Sequence, residues 1–308
     1  MNPARLIALD WGTSNLRASL LGDGAERLQT RAAAGGIMAV PERRFAQALN
    51  DLCGDWIDEH GCPLIASGMI GSRQGWQEAP YLECPAGLAA AAAQLTRIEL
   101  RPGVALHIAP GLRCVGGDGQ DDVMRGEETQ LWGAGLAEGS CCVLPGTHSK
   151  WAWMGGGGAV ARFQTCMTGE VYALLTQHGI LGRLMVFGES SAAAFEQGTR
   201  LGLAGHANLL HTVFAARTAG LMERVAPAGL PDFLSGILIG AEIGGASGGT
   251  LAGGPPGSVA LLGDAALCDR YATAFGIAGV ATTRVPDEAT IRGQWQLALH
   301  AGLVKERA

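Results

Sequence analysis

The sequence predicts an α/β protein built from two similar halves, and three observations carry that expectation. Short apolar strands are followed by helical segments, and the order runs twice along the chain. Two glycine turns, Gly12-Thr13 and Gly146-Thr147, each follow an apolar strand and precede a more polar one. A length of 308 residues with 48% hydrophobic content is enough to bury two compact cores.

In order, Leu6 to Asp10, Leu16 to Leu21 and Glu26 to Thr30 read as a β-hairpin extended to a third strand, with Gly22-Asp23-Gly24 as the second turn. Arg43 to Asp58 has helical spacing, with Phe45, Leu49, Leu52 and Trp56 on one face. Strands follow at Pro63 to Ala66 and Leu106 to Ala109, then a helix at Glu127 to Leu136. Val143-Leu144, Lys150 to Met154 and Arg162 to Thr165 restart the hairpin design. Beyond Gly169 the chain is mainly helical to Ala246. A strand at Val259 to Leu262, a helix at Ala265 to Phe275, a strand at Gly279 to Thr283 and a helix at Ala289 to Leu303 complete it. The halves are expected at residues 1–137 and 138–287, with the closing helix, 288–308, returning to the first.

The formal charge of −6 and the absence of a basic stripe argue against nucleic acid as a partner, because such binding rests on clustered Lys and Arg. The longest apolar runs, such as Leu88 to Ala93 and Gly236 to Ala241, are too short to cross a bilayer. Met1 to Arg5 lacks a signal-peptide pattern, and the eight cysteines have no repeating spacing and no CxxC pair. These features predict a cytoplasmic protein with reduced, buried thiols and no membrane partner. Glycine is the unusual count, 48, and glycines at strand ends are the informative ones, since backbone there can approach a ligand closely.

Five segments have chemical potential. Around Asp10-Trp11-Gly12-Thr13-Ser14, a strand delivers a carboxylate to a turn with exposed N–H groups and hydroxyls, a cradle for phosphates and magnesium, or else a plain turn capped by Asp10. Gly146-Thr147-His148-Ser149-Lys150 offers donors and a cation in the same way, or makes an ordinary hairpin. The two together could hold one polyphosphate from both sides of a cleft. Asp118 to Gln130 concentrates charge and leads into a helix, where a carboxylate near the N-terminus could accept a hydroxyl proton, or Asp121 or Asp122 could merely cap it. The loop Ser67 to Tyr81 could wrap a polyhydroxylated ligand with Gly71 and Ser72 and a wall from Trp76 or Tyr81, or its aromatics could plug the core. Gly263-Asp264 stands between a strand and a helix, where an adenosine could lie against backbone or Asp264 could cap the helix.

Taken in order, these segments resemble the phosphate, connecting and adenosine motifs of the sugar kinase and actin superfamily. Within it, ALDWGTSNLRASL, ASGMIGSRQGWQEAPYL, DVMRGEETQLWGA, LPGTHSKW, FQTCMTGE and FLSGILIGAE are most similar to the 2-dehydro-3-deoxygalactonokinase family and span most of the chain. The resemblance implies a two-domain actin-like, ribonuclease H-like fold with a nucleotide cleft between the domains. It also implies transfer of the γ-phosphate of MgATP to the C6 hydroxyl of 2-dehydro-3-deoxy-D-galactonate. Rival readings are a kinase of the epimeric 2-dehydro-3-deoxygluconate and an actin-like or chaperone-like ATPase. Implied roles are Asp10 for magnesium through water, Gly12, Thr13, Ser14, Gly146, Thr147, His148 and Ser149 for phosphates, and Gly263 and Asp264 for adenosine. Asp122 is implied as the base, and Arg125 as the partner of the substrate carboxylate or of the transferring phosphoryl. ATP, Mg2+ and a small sugar acid are the expected ligands, with homodimerisation left open.

Overall fold

The computed structural model describes residues 3–116, 119–247 and 257–306. Asp118, in the acid-rich segment, and the last residues of the predicted closing segment lie outside the described residues. The elements are β1 (Leu6–Trp11), β2 (Asn15–Leu21), β3 (Arg27–Ala34), α1 (Phe45–His60), β4 (Leu64–Ser67), β5 (Tyr81–Glu83), α2 (Leu88–Ala92), β6 (Thr96–Arg101), β7 (Val104–Ile108), β8 (Gly111–Val115), β9 (Asp121–Met124) and α3 (Glu127–Gly133). They continue as β10 (Cys141–Leu144), β11 (Ser149–Met154), β12 (Val160–Cys166), α4 (Thr168–Gln177), α5 (Ala192–Gly205), α6 (Leu209–Thr212), α7 (Ala215–Leu221), α8 (Leu230–Ser247), β13 (Ser258–Leu261), α9 (Ala265–Ile277), β14 (Ala281–Arg284) and α10 (Ala289–His300).

The repeat read from two glycine turns is written in the backbone. One sheet has the order β3-β2-β1-β4-β7-β6 and the other β12-β11-β10-β13-β14. In each, the first three strands are antiparallel and the next two join parallel to the first. This doubled order is the two-sheet actin-like fold. Both central strands are apolar on successive residues because both faces are covered. In β1, Ile7, Leu9 and Trp11 pack with Phe45, Leu49 and Trp56 of α1, while Leu6 and Ala8 pack on the opposite side with Trp295 and Leu297 of α10. The α1 stripe matches its predicted face, and the helix ends at Gly61, whose φ of 57° is the left-handed cap that glycine accepts without strain.

Six glycines, Gly133, Gly198, Gly202, Gly236, Gly240 and Gly293, serve helix crossings, a use the sequence reading did not assign. A Cβ added at Gly133 of α3 would lie 1.9 Å from the Ala289 carbonyl, and one at Gly293 of α10 would lie 1.8 Å from that of Thr129. The same device joins α5 to α8, where added Cβ atoms at Gly198 and Gly236 would lie 2.1 Å and 2.2 Å from the Phe233 and Phe195 carbonyls. Each crossing brings backbone onto backbone. The α3–α10 crossing seats the closing helix against the first sheet. There the fully buried Gln294 donates from Nε2 to Leu9 O at 2.7 Å and Ser67 Oγ at 2.9 Å, tying together the ends of β1 and β4.

Three expectations are corrected. Strands β5, β6, β8 and β9 were not foreseen, and α3 stops at Gly133 rather than Leu136. The pair Asp121 and Asp122 does not sit at a helix N-terminus; it lies in β9, which pairs antiparallel with β8. The residue preceding α3 is Gly126, with φ 110°, so the helix begins after a sharp turn that detaches it from the strand.

Candidate active site

The two glycine turns are built alike. After β3, Gly36 lies under the first turn, so that an added Cβ would be 2.2 Å from Gly12 O and 2.4 Å from Thr13 O. After β12, Gly169 lies under the second turn, where an added Cβ would be 2.5 Å from Gly146 O and 2.8 Å from Thr147 Cα. Backbone bonds fix each contact: Ile37 N donates to Gly12 O at 3.0 Å, and Glu170 N to Thr147 O at 2.9 Å. Each half thus presents one tight turn at the end of its central hairpin, a form in which backbone N–H groups can face an anion.

Asp10 ends the central part of β1 directly before the first turn, opposite Arg17 on β2. Burial raises its pKa above the usual carboxylate range; Arg17 pulls it down and Glu127 pushes it up further. Glu127 stands in the first turn of α3. Its Oε2 accepts from Arg125 N at 3.1 Å, and its Oε1 lies 3.5 Å from the Lys150 ammonium. Lys150 is 4% exposed, and its other polar neighbour is His148 O at 3.5 Å. Asp10, Glu127 and Lys150 therefore form one charged line from the first turn, through α3, to the second turn.

The predicted residues divide. Gly12, Thr13 and Ser14, with Gly146 and Thr147, lie in the two turns. His148 also lies in its turn and bonds Glu170 through Nε2. Ser149 does not face the turn: it is fully buried in β11 and donates to Glu242 Oε1 at 2.8 Å. Asp122 reaches across to the other half, accepting from Thr165 N at 2.6 Å through Oδ2, and from Thr165 Oγ1 at 2.6 Å and Val123 N at 2.7 Å through Oδ1. Trp76 and Tyr81 are apart. Trp76 stacks on Phe45 at 6.1 Å within the α1 core, whereas the Tyr81 ring carries the Arg125 guanidinium at 4.2 Å. Gly71 is packed against Arg125, and Ser72 is buried beside it in the chain. Asp264 caps α9, accepting from Leu267 N at 3.0 Å, while Gly263, with φ 142°, abuts the Pro145 carbonyl.

Two features lay beyond the sequence reading. Beside the second turn opens a cavity of about 350 Å³, between Thr168, Gly169 and Tyr172 of α4, Leu238 of α8 and Leu267 and Arg270 of α9. Its mixture of apolar walls and a few polar groups suits a nucleoside. Beneath it the buried carboxylate of Glu242 accepts hydrogen bonds from Ser149, Trp151 Nε1 at 2.7 Å, Thr168 and Tyr271 OH at 2.6 Å. Burial pushes the Glu242 pKa up, against the pull of those four donors. The signal for Glu242 was an acid stranded in an apolar helix.

The doubled fold, with a turn from each half converging on one acidic helix end, defines a phosphotransferase of the sugar kinase and actin-like class. The family model for 2-keto-3-deoxy-galactonokinase matches residues 10–297. A 2-dehydro-3-deoxygalactonokinase of Escherichia coli (strain K12) is 40% identical over 241 residues, 78% of this chain and 80% of that protein. A Rhizobium meliloti (strain 1021) protein provisionally named for the same activity is 35% identical over 96% of each chain. A Sinorhizobium meliloti crystal structure, provisionally named likewise, superposes with a TM-score of 0.87 at 34% identity, covering 96% of this chain and 98% of its own. The chain belongs to the 2-keto-3-deoxy-galactonokinase family, and it is an enzyme of the kinase class.

Proposed function

We propose that this enzyme transfers the γ-phosphate of MgATP to the C6 hydroxyl of 2-dehydro-3-deoxy-D-galactonate, giving the 6-phosphate and ADP in the cytoplasm. The observation that carries the reading is the matched pair of glycine-backed turns, Gly12-Thr13 over Gly36 and Gly146-Thr147 over Gly169, with Lys150 after the second turn in contact with Glu127 of α3. The family supports the acceptor. The two halves act as residues 1–137 with α10, and 138–287.

The residues present fit magnesium and ATP. Asp10 is a carboxylate beside a turn with no Cβ at Gly12, and magnesium characteristically takes one or two carboxylates, retained waters and substrate phosphates. Bound there, the ion would neutralise charge on the transferring group. The first turn, with Thr13 and Ser14, and the second, with Thr147 and His148, would donate to the phosphates. The adenosine would enter the cavity between α4, α8 and α9, with Gly263 and Asp264 shaping its edge through Pro145 and α9. Ser149 acts from below, holding Glu242.

The proton acceptor is assigned to Glu127 in place of Asp122. Asp122 is committed to Thr165 and serves to couple β9 to β12, whereas Glu127 stands between the two turns beside Asp10. General-base removal characteristically costs about 100-fold or more. Glu127→Gln is therefore expected to lose about that factor in kcat, with Asp122→Asn losing far less. The reverse order returns the role to Asp122.

The reaction itself is tested by incubating the protein with ATP, Mg2+ and either of the two epimeric keto-deoxy acids. ADP release that depends on the galacto epimer, with phosphorus on C6 by NMR, is the expected result. Preference for the gluco epimer reassigns the acceptor, and hydrolysis without any acid favours the ATPase reading.

A further inference from the structure

Arg125 follows β9 and is folded back beneath the loop from Ser67 to Tyr81. It is 8% exposed, yet its Nε and Nη1 have no hydrogen-bond partner among the described residues. Only Nη2 is engaged, donating to the Ala79 carbonyl at 2.8 Å. Among the described residues the guanidinium makes no ion pair; Glu127 Oε2 accepts from the Arg125 backbone N–H, and the buried Glu128 feels its charge at longer range. The Oγ of Ser72, 6% exposed, is likewise buried without a partner. These atoms belong to one wall. A Cβ added at Gly71, next to Ser72, would lie 3.0 Å from Nη1, and the ring of Tyr81 covers the guanidinium at 4.2 Å.

The electrostatic partner of Arg125 is the buried Glu128 carboxyl, which burial pushes toward the neutral form, so the guanidinium is poorly compensated. That is costly, as is a buried hydroxyl without a partner, and an anionic ligand that accepts from both removes both costs. Arginine suits a planar carboxylate because its donors lie in one plane. The position relative to the charged line matters. Lys150 and Asp10 face the two phosphate turns, whereas Arg125 is turned toward Gly71, Ala79 and Tyr81. Phosphate already has its own cation, and the second one looks elsewhere.

We propose that Arg125, with Ser72 and Tyr81, binds the C1 carboxylate of the acceptor, and that this contact makes the enzyme select sugar acids over neutral sugars. The proposal rests on the reading of the acceptor as a small sugar acid. It assigns Arg125 to specificity and removes it from the transfer of the phosphoryl group.

The experiment compares the full-length wild type with Arg125→Ala, Arg125→Lys and Ser72→Ala, using the keto-deoxy acid and its C1 carboxamide as acceptors. A site built for a charged group rejects the analogue lacking it, so wild type should prefer the acid by at least about 100-fold in kcat/KM. In Arg125→Ala the preference should collapse to within about threefold, with KM for ATP within about twofold of wild type. Added guanidinium should restore activity toward the acid more than toward the amide. Ser72→Ala should lower the preference by a smaller factor. If Arg125→Ala instead lowers both acceptors equally, or raises KM for ATP in step, the assignment is wrong. Arg125→Lys, which keeps the charge, serves where the alanine variant does not fold; an unchanged acid preference with altered ATP kinetics there overturns the proposal too. Wild type inert toward both acid epimers overturns the acceptor reading itself, a result separate from any variant.

Discussion

The ammonium of Lys150, nearly sealed from water, stands 3.5 Å from Glu127 Oε1, so the strand after the second glycine turn and the first turn of α3 hold each other by charge. Removing one partner of such a pair strands the other. Glu127→Gln is expected to cost about 3 kcal/mol in chemical denaturation, whereas Glu127→Gln combined with Lys150→Met should recover much of the loss. A double variant as unstable as the single one would show that the pair is not coupled. Saturating MgATP should also narrow the gap between wild type and Glu127→Gln, since phosphate can replace the missing carboxylate opposite Lys150.

The pKa of Asp10 carries a signed prediction. In the proposed magnesium role Asp10 must be ionised; burial, helped by Glu127, raises its pKa while Arg17 lowers it. Activity at subsaturating MgATP should therefore fall with decreasing pH at a value above the ordinary carboxylate range. Arg17→Gln should move that limb to higher pH and Glu127→Gln to lower pH, the latter read on its residual activity. Limbs that coincide in all three proteins would separate Asp10 from the metal.

The glycines behind the turns should be intolerant of a single methyl. Gly36→Ala and Gly169→Ala each force a Cβ to about the 2.2–2.5 Å separations measured from the Gly12 and Gly146 carbonyls, which backbone must move to relieve. ATP affinity by calorimetry should fall at least about tenfold in both. Gly276→Ala, in the last turn of α9, where an added Cβ meets nothing within 4 Å and the backbone is helical, should leave ATP affinity unchanged.

Glu128 predicts a pH-dependent stability. Fully buried beside Glu127, its carboxyl is raised to about 8, burial being the main cause. A raised carboxyl pKa means that the folded state holds a proton the unfolded chain has released. Its stabilising contribution is complete below the unfolded carboxylate range and is lost as pH climbs to about 8. Thermal melts of wild type should thus decline from acid to pH 8 more steeply than those of Glu128→Gln. Parallel curves would place the pH dependence elsewhere.

Strand-turn-strand chemistry was legible in the sequence because it is local. Leu6 to Asp10 and Gly12-Thr13 declare a strand and a turn within nine residues, and Val143 to Lys150 does so again. Short strands whose signal depends on a distant partner were not legible: β9 reads as a charged approach to a helix until β8 is beside it. The site was half visible for the same reason. Asp122 is the base that the resemblance implies, and only the fold shows that its carboxylate also accepts two hydrogen bonds from Thr165. Glu127 lies within DVMRGEETQLWGA but is indistinguishable there from a first-turn acid complementing the helix dipole, and the role proposed for it rests on its contact with Lys150 and its electrostatic influence on Asp10. Gly36 and Gly169 follow third strands at matching places, yet nothing local says that they underlie turns formed more than twenty residues earlier.

Gln294 has a consequence for how the protein is made. The ends of β1 and β4 are tied by a side chain that the ribosome delivers 227 residues after Ser67. During synthesis the first sheet lacks this fastening while the whole second half emerges. A chain halted before α10 therefore lacks this clamp across β1 and β4, and its first sheet is expected to be less stable than in the full chain.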